Sequence, residues 1–387
     1  MTPHASLRKN IQPRRILIAI DSFKGCLSSA EAGRAAAEGF HKRWPKAEVV
    51  CLPVSDGGEG WLEAYAFAFK RAMEKGLETT WEWMSVAVND PLLRPVWAKY
   101  LKAGDLAVLE VAEACGLHLL KPEERHPLLA SSRGVGDLLA DAIRHGCKRF
   151  IVGLGGSGIS DAGVGMIETL PFPFLVGRGQ ESSPSEMHTT PSLQGRVRGG
   201  SSFLIATDVD NPLCGPDGAA AVFGPQKGAT PDMVLELDRR ARAFAQENAR
   251  RMGFDKSREP GAGAAGGLGY AFMQFFGAER RSGAELLLEQ LCFDELVADA
   301  DLIITGEGHA DPQTLMGKLP AIVLRHAHRA GVPCHLLAGA VEDSEALLAA
   351  GFSTVHGINP PNMPLHEAMR PEVARHHLAL TAYAATL

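Results

Sequence analysis

The sequence has no apolar run of the ~18 residues that a membrane span requires, which argues against a helical membrane protein. Seven cysteines, at positions 26, 51, 115, 147, 214, 292 and 334, include no Cys-x-x-Cys pair. An odd, unpaired set fits buried thiols in a reducing compartment better than a disulfide framework or a zinc site, so a cytoplasmic location is expected. Lys and Arg are scattered, no basic-aromatic stripe occurs and the formal net charge is -6; neither nucleic acid nor a membrane surface is an expected partner. No GxxxxGK[ST] segment is present, so a P-loop NTPase is not expected. His326 and His328, and the pair His376-His377, lack an HExxH context and are read as surface or structural. Residues 1–15 contain no acid and no apolar h-region, which argues against a secretory signal. They carry Arg8, Lys9, Arg14 and Arg15 and are read as a flexible tail, although transit peptides share such a pattern.

What is present points to a layered α/β protein. A length of 387 residues exceeds one typical core and predicts two domains. Hydrophobic residues at 45% and charged residues at 22% are ordinary for a globular chain. Continuous apolar runs at 15–20, 48–53, 107–111, 149–153, 203–206, 301–304 and 334–337 read as buried strands. They alternate with helical patterns, including 28–42, which opens on the capping-box pair Ser28 and Glu31. Further helices are expected over 136–145, 233–251, 284–291, 319–330 and 344–350. The stretch 176–202, rich in Gly, Ser, Pro and Thr, reads as a surface loop.

Polar, Gly-rich clusters follow five of the apolar strands. They are Asp21-Ser22-Phe23-Lys24-Gly25, Asp56-Gly57-Gly58-Glu59-Gly60, Gly153 to Ser157 with Ser160-Asp161, Thr207-Asp208-Val209-Asp210-Asn211, and Thr305-Gly306-Glu307-Gly308. Each alone could be a turn or a helix cap. Together they match the rule that ligands gather beyond the carboxyl ends of parallel strands. Two segments match GxGxxG: 153–158 follows an apolar strand but is not followed by the ribose-binding acid of a dinucleotide site, and 261–266 has no strand before it. Bare amides at a helix start can still cradle phosphate oxygens. Phosphoryl transfer needs cations, Mg²⁺ ligands and a group that handles the hydroxyl proton. Lys24 and Lys227 are candidates for the first, and Asp208, Asp210, Glu307 and Asp311 for the others.

These clusters, with Pro53 to Gly60, Thr207 to Gly215, Ala221 to Thr230, Pro260 to Gly269 and Ile304 to Gly308 followed by Gln313-Thr314, resemble the bacterial-type glycerate kinase family that lacks a Walker loop. The resemblance spans residues 16 to about 356. It implies transfer from ATP, with Mg²⁺, to D-glycerate, on the 2-hydroxyl, with 2-phosphoglycerate as product. It also implies two α/β domains: a discontinuous flavodoxin-like, Rossmann-like parallel-sheet domain from 16–68 and 290–387, and an inserted α/β domain over 69–289. On this basis Asp21, Ser22, Asp56, Glu59, Asp208 and Asn211 are expected to bind substrate. Gly155, Gly156, Ser157, Lys227 and Thr314 are expected to bind nucleotide, and Asp210 and Glu307 to hold the metal. Lys24, Asp161 and Asp311 are the expected catalytic residues, with Asp161 placed ahead of Asp311 as the base. Three departures stand out. Ser160-Asp161-Ala162-Gly163 replaces the family's Asn-Asp-Gly-Gly, His309 replaces an Arg, and Ala310-Asp311-Pro312 replaces Ile-Asp-Gly. They motivate one alternative, a weakened homologue that binds glycerate or nucleotide as a sensor. A 3-phosphoglycerate-forming kinase and an NAD(P)-dependent dehydrogenase are the others. Either a monomer or a homodimer is compatible with the sequence.

Overall fold

The computed structural model describes residues 12–77, 80–170 and 201–385. Most of the expected N-terminal tail and of the loop expected over 176–202 lies outside the described residues. Eleven strands occur among the described residues: β1 Arg15–Ile20, β2 Glu48–Cys51, β3 Trp81–Asn89, β4 Pro95–Ala103, β5 Leu106–Glu110, β6 Arg149–Gly153, β7 Ser202–Ala206, β8 Glu279–Arg281, β9 Leu302–Ala310, β10 Cys334–Val341 and β11 Thr354–Gly357. The chain divides into two compact units, Met1–Asp56 with Ala284–Leu387, and Gly57–Gly283. The sequence reading drew these divisions at 68/69 and 289/290. In the structure the helix Trp61–Glu74 packs on β4 and β5.

In the first unit, continuous apolar strands form an all-parallel sheet of order β11-β10-β9-β1-β2. Ile16, Ile18 and Ile20 of β1 share one face with Leu302, Ile304 and Leu337. That face is covered by Ala32, Ala36 and Phe40 of the helix Ser29–Arg43 and by Leu378 and Ala382 of the helix Pro371–Ala384. The predicted capping box is present: the Glu31 amide donates to Ser28 Oγ at 3.3 Å, and the Ser28 amide donates to Glu31 Oε2 at 3.0 Å. Counted along the chain, the five strands run 2-1-3-4-5, the flavodoxin-like order, which reverses direction between β1 and β9. Such a switch point leaves a crevice beyond the strand carboxyl ends, where ligands bind.

The second unit is a mixed sheet of order β3-β4-β5-β6-β7-β8. β5 to β8 are parallel, and β3, β4 and β5 pair antiparallel. Its core stacks Phe150 on Phe203 at 4.4 Å, with Phe276 5.0 Å from Phe203. The helix Ala264–Phe276 is buried along its whole length. Its start is not helical: Ala265, Gly266 and Gly267 have φ of 50, 66 and 96. A Cβ on Gly266 would collide with the Ile159 carbonyl, so the Gly-rich run is needed for close packing against residues 159–162. No helix among the described residues is long and apolar enough to cross a membrane, and all seven cysteines are free.

Candidate active site

In the first unit the expected residues gather at the switch point. Asp21 leaves β1 with its amide donating to the Gly306 carbonyl of β9 at 2.9 Å. Its carboxyl is buried, and Oδ1 accepts the Ser22 amide at 2.7 Å. Burial first, then the Asp56 carboxylate, push Asp21 up to about 8, while Lys24 pulls it back. Lys24 Nζ lies 3.8 Å from Asp56 Oδ2. A carboxyl held near neutrality beside a second carboxylate and an ammonium is the arrangement of a tuned general base.

At the end of β9, Glu307 Oε1 accepts the hydroxyl of buried Thr314 at 2.7 Å. Burial raises the Glu307 carboxyl, against the pull of Thr314 and Lys318. Asp311 caps the short turn Pro312–Met316, accepting the Gln313 and Thr314 amides at 2.8 and 3.2 Å. Lys318 Nζ stands 3.7 Å from Glu307 and 3.8 Å from Asp311. His309 Nε2 sits 3.9 Å from Asp311 and 3.4 Å from Glu342. Sequence reasoning missed Lys318. Its signal was a Lys at the N-cap of the helix Leu319–Ala330, after the left-handed Gly317.

In the second unit the Gly153-to-Ser157 segment follows β6. Gly155 donates to the Gly57 carbonyl at 2.9 Å and Gly158 to the Cys115 carbonyl at 2.7 Å. A Cβ on Gly155 would collide with Gly58, so only glycine permits this approach. No acceptor among the described residues takes the Gly156 or Ser157 amide. The next helix begins only at Val164, so the GxGxxG match does not open a helix.

Asp161 is fastened inside its own loop. Oδ2 accepts the Ser132 amide at 2.8 Å, the Ser132 hydroxyl at 2.9 Å and the Gly165 amide at 3.2 Å; Oδ1 accepts the Gly163 amide at 3.1 Å. Burial pushes this carboxyl up and the four donors pull it down. These four donors hold the carboxylate within its loop. Ser132, missed in the sequence, is visible there only as a Ser pair before the helix Arg133–Arg144. Lys227 is buried too: its ammonium donates to the Ile159 carbonyl at 2.7 Å and to Ser157 Oγ at 3.1 Å. Burial lowers it to about 8. Its ammonium thus ties Ser157 and Ile159 of this loop together.

Beyond β7, Asp210 pairs with Arg280 at 2.6 Å. Asn211 donates through Nδ2 to the Asp217 carbonyl at 2.8 Å, and its own carbonyl accepts the Gly263 amide at 2.8 Å. Asp208 shares this loop, and Glu59 lies in the loop before the helix Trp61–Glu74. Among the described residues, no group of three or more His, Cys, Asp or Glu is set to hold a metal ion. Mg²⁺ needs fewer, because it keeps waters and binds through one or two carboxylates and substrate phosphates. Glu307 and Asp311, two carboxylates sharing the Lys318 ammonium, fit that demand. Asp210 is paired with Arg280 instead.

Comparison with known proteins gives a consistent result. The family model described as "Glycerate kinase family" matches residues 16–386. A glycerate kinase of Bacillus subtilis (strain 168) is 40% identical, covering 95% of this chain and 96% of its own length. A glycerate 2-kinase of Escherichia coli (strain K12) is 37% identical, covering 89% of each. A crystal structure from Salmonella typhimurium LT2, assigned there as glycerate kinase 2, superposes with a TM-score of 0.72 at 35% identity and covers 96% of both chains.

Proposed function

The chain belongs to the glycerate kinase family, and from that premise we propose that it transfers the γ-phosphoryl group of ATP to the 2-hydroxyl of D-glycerate. The observation that carries this reading is the buried Asp21 carboxyl at the β1/β9 switch point, flanked by Asp56 and Lys24. Asp21 takes the proton of the attacking hydroxyl, and its value near 8 suits a base at cytoplasmic pH. Lys24 and Ser22 orient the glycerate carboxylate, with Asp56 setting the position of Lys24 through their ion pair. The Gly156 and Ser157 amides receive phosphate oxygens, and Lys227 keeps their loop in place. Glu307 and Asp311 would hold Mg²⁺, with Thr314 and Lys318 fixing both carboxylates. When bound, the ion neutralises charge on the transferring phosphoryl group. The base role moves from Asp161 to Asp21 because the four donors on Asp161 leave it committed to its loop.

The name of the E. coli relative, glycerate 2-kinase, supports the 2-position. A reduced, cytoplasmic setting agrees with seven free cysteines. Purified protein with ATP, Mg²⁺ and D-glycerate tests the proposal, with phosphorus NMR of the product to identify the phosphorylated hydroxyl. Absence of glycerate-dependent ADP release from about pH 6 to 9 overturns the activity. A 3-phosphoglycerate spectrum overturns only the regiochemistry.

A further inference from the structure

The mixed sheet of the second unit ends on an open edge. Among the described residues β3 has one neighbouring strand, β4. Their nine residue pairs run from Trp81 opposite Ala103 to Asn89 opposite Pro95 without a bulge. β3 carries no Lys and no Pro, and its single charge, Glu82, is already paired with Lys102 at 3.3 Å. Bulges, prolines and lysines are the devices that stop one sheet edge from joining another. The Asp90 amide donates back across the hairpin to the Arg94 carbonyl at 2.8 Å, whereas the Asn89 amide donates to Asp137 at 3.0 Å. By the alternation of a strand, the odd-numbered residues Trp83, Ser85 and Ala87 direct their N–H and C=O groups to the open edge.

The side chains of the same residues share one face of the sheet, beside Trp97 of β4, which is paired with Ala87. Phe69 of the helix Trp61–Glu74 lies 6.2 Å from Trp81 on this face, but Trp83, Ser85, Ala87 and Trp97 are exposed. On the core-facing side Met84 and Val86 are only partly buried. We propose that β3 is a homodimer interface: it pairs antiparallel with β3 of a second copy about a two-fold axis through Ser85, joining the two six-stranded sheets into one. Ser85 is the midpoint of β3, so this register alone pairs all nine residues. It sets Trp83 opposite Ala87 of the second copy, with that copy's Trp97 on the far side of Ala87, so each indole meets a small residue flanked by a large one. Glu82 falls opposite Val88, and no like charges face each other. This self-complementarity is what a two-fold interface requires and selects a second copy as the occupant. The exposed parts of Trp83 and Trp97, 42% and 72%, amount to about 280 Å² per chain at about 250 Å² for a whole Trp. An edge about 30 Å long and about 10 Å deep adds about 300 Å². Two copies would bury about 1,200 Å², the lower end for stable interfaces, which fits a dimer that dissociates on dilution.

Sedimentation velocity of the full chain from about 1 to 100 μM tests the association, because interfaces of this class begin at micromolar affinity. The wild type should shift from monomer to dimer across that range. Ser85→Lys sets two ammonium groups face to face at the axis, where like charges oppose pairing, and should weaken the dimer at least about tenfold. Position 85 is exposed, so the monomer keeps its fold, which circular dichroism checks. Ser85→Cys tests the register. Directly opposed, hydrogen-bonded residues stand about 5.5 Å apart between Cα atoms, within disulfide reach. Mild oxidation should therefore give a disulfide-linked dimer above the background from the seven native thiols, and Glu82→Cys should not. A wild type that stays monomeric to about 100 μM would overturn the proposal. So would a dimer equally stable in Ser85→Lys, or one that cross-links as readily through Glu82→Cys as through Ser85→Cys. None of these outcomes depends on the kinase reading.

Discussion

Asp161→Asn separates a structural acceptor from a catalytic base. The carboxylate takes three donors on Oδ2, from the Ser132 amide, the Ser132 hydroxyl and Gly165, and one on Oδ1, from Gly163. Asn can place its single carbonyl oxygen toward the three. Its NH2 group then faces the Gly163 amide, donor against donor. The loss is one hydrogen bond to a charged group, about 1.5–3 kcal/mol, together with a buried donor left unsatisfied, about 1–3 kcal/mol. A total of about 3–5 kcal/mol in a unit spanning Gly57–Gly283 lowers the melting temperature by roughly 10 °C. Circular dichroism melting and steady-state kinetics well below the transition would measure both effects. The expected result is a large melting shift with kcat reduced less than about tenfold, well short of the loss of a general base. An unchanged melting temperature with turnover lost a thousandfold would refute the structural reading and restore Asp161 as the base.

Asp21→Asn should reduce kcat by about 10²–10⁴-fold with little change in stability. Wild-type kcat/KM should climb with pH toward about 8, where the carboxyl ionises; a flat profile from about pH 6 to 8 argues against Asp21 as the base. His335, buried on β10, is lowered to about 4 by burial first and then by His356. The unfolded state then binds the extra proton between about pH 4 and the reference value near 6.5, so stability rises with pH across that window. This contribution is fully present above it and falls by roughly 3 kcal/mol toward its lower end; urea unfolding at several pH values measures the slope, and His335→Gln should flatten it. Three carboxylates, Glu307, Asp311 and Glu342, stand around Lys318 and His309. His309→Arg adds a permanent bidentate cation there and should tighten nucleotide binding about tenfold, or about 1.4 kcal/mol; an unchanged nucleotide KM would show that His309 does not face phosphate.

Four strands of the first unit, β1, β2, β9 and β10, were legible because each contains a continuous apolar run, whereas β11, with the sequence TVHG, has none and was not expected. β3 and β4 were not legible either. Their hairpin is half exposed, with Trp97 72% exposed and Trp83 42% exposed, so neither the parallel-strand pattern nor a clean polar alternation marks them. The helix Ala264–Phe276 was hidden for another reason. Its first turns are left-handed glycine backbone, and its buried body has no polar face to give a helical period. Residue types at the candidate site were legible, while their roles were not. Asp21 and Asp161 both follow an apolar strand, and only burial and partners distinguish them. One stands beside Asp56 and Lys24, and the other is closed by four donors.

The departures at 160–162 can now be weighed against what holds that loop. Ser160 Oγ is buried without a hydrogen-bond partner among the described residues, which costs about 1–3 kcal/mol. Ala162 has a φ of 55, where glycine would carry no Cβ penalty, and left-handed backbone costs a non-glycine residue about 1–2 kcal/mol. Opposing these are the four bonds to Asp161, the two from Lys227 to Ser157 and Ile159, and the Ala162 amide donating to Gly266 at 3.0 Å. The bonds to Asp161 and from Lys227 are charge-assisted and contribute about 1.5–3 kcal/mol each, and the restraints outnumber the strained positions. The substitutions therefore reduce the stability of the second unit without releasing the Gly156 and Ser157 amides from the position proposed for phosphate. A sequence that departs from its family at this loop can keep the loop's geometry, because the residues that fix it, Asp161 and Lys227, are the ones retained.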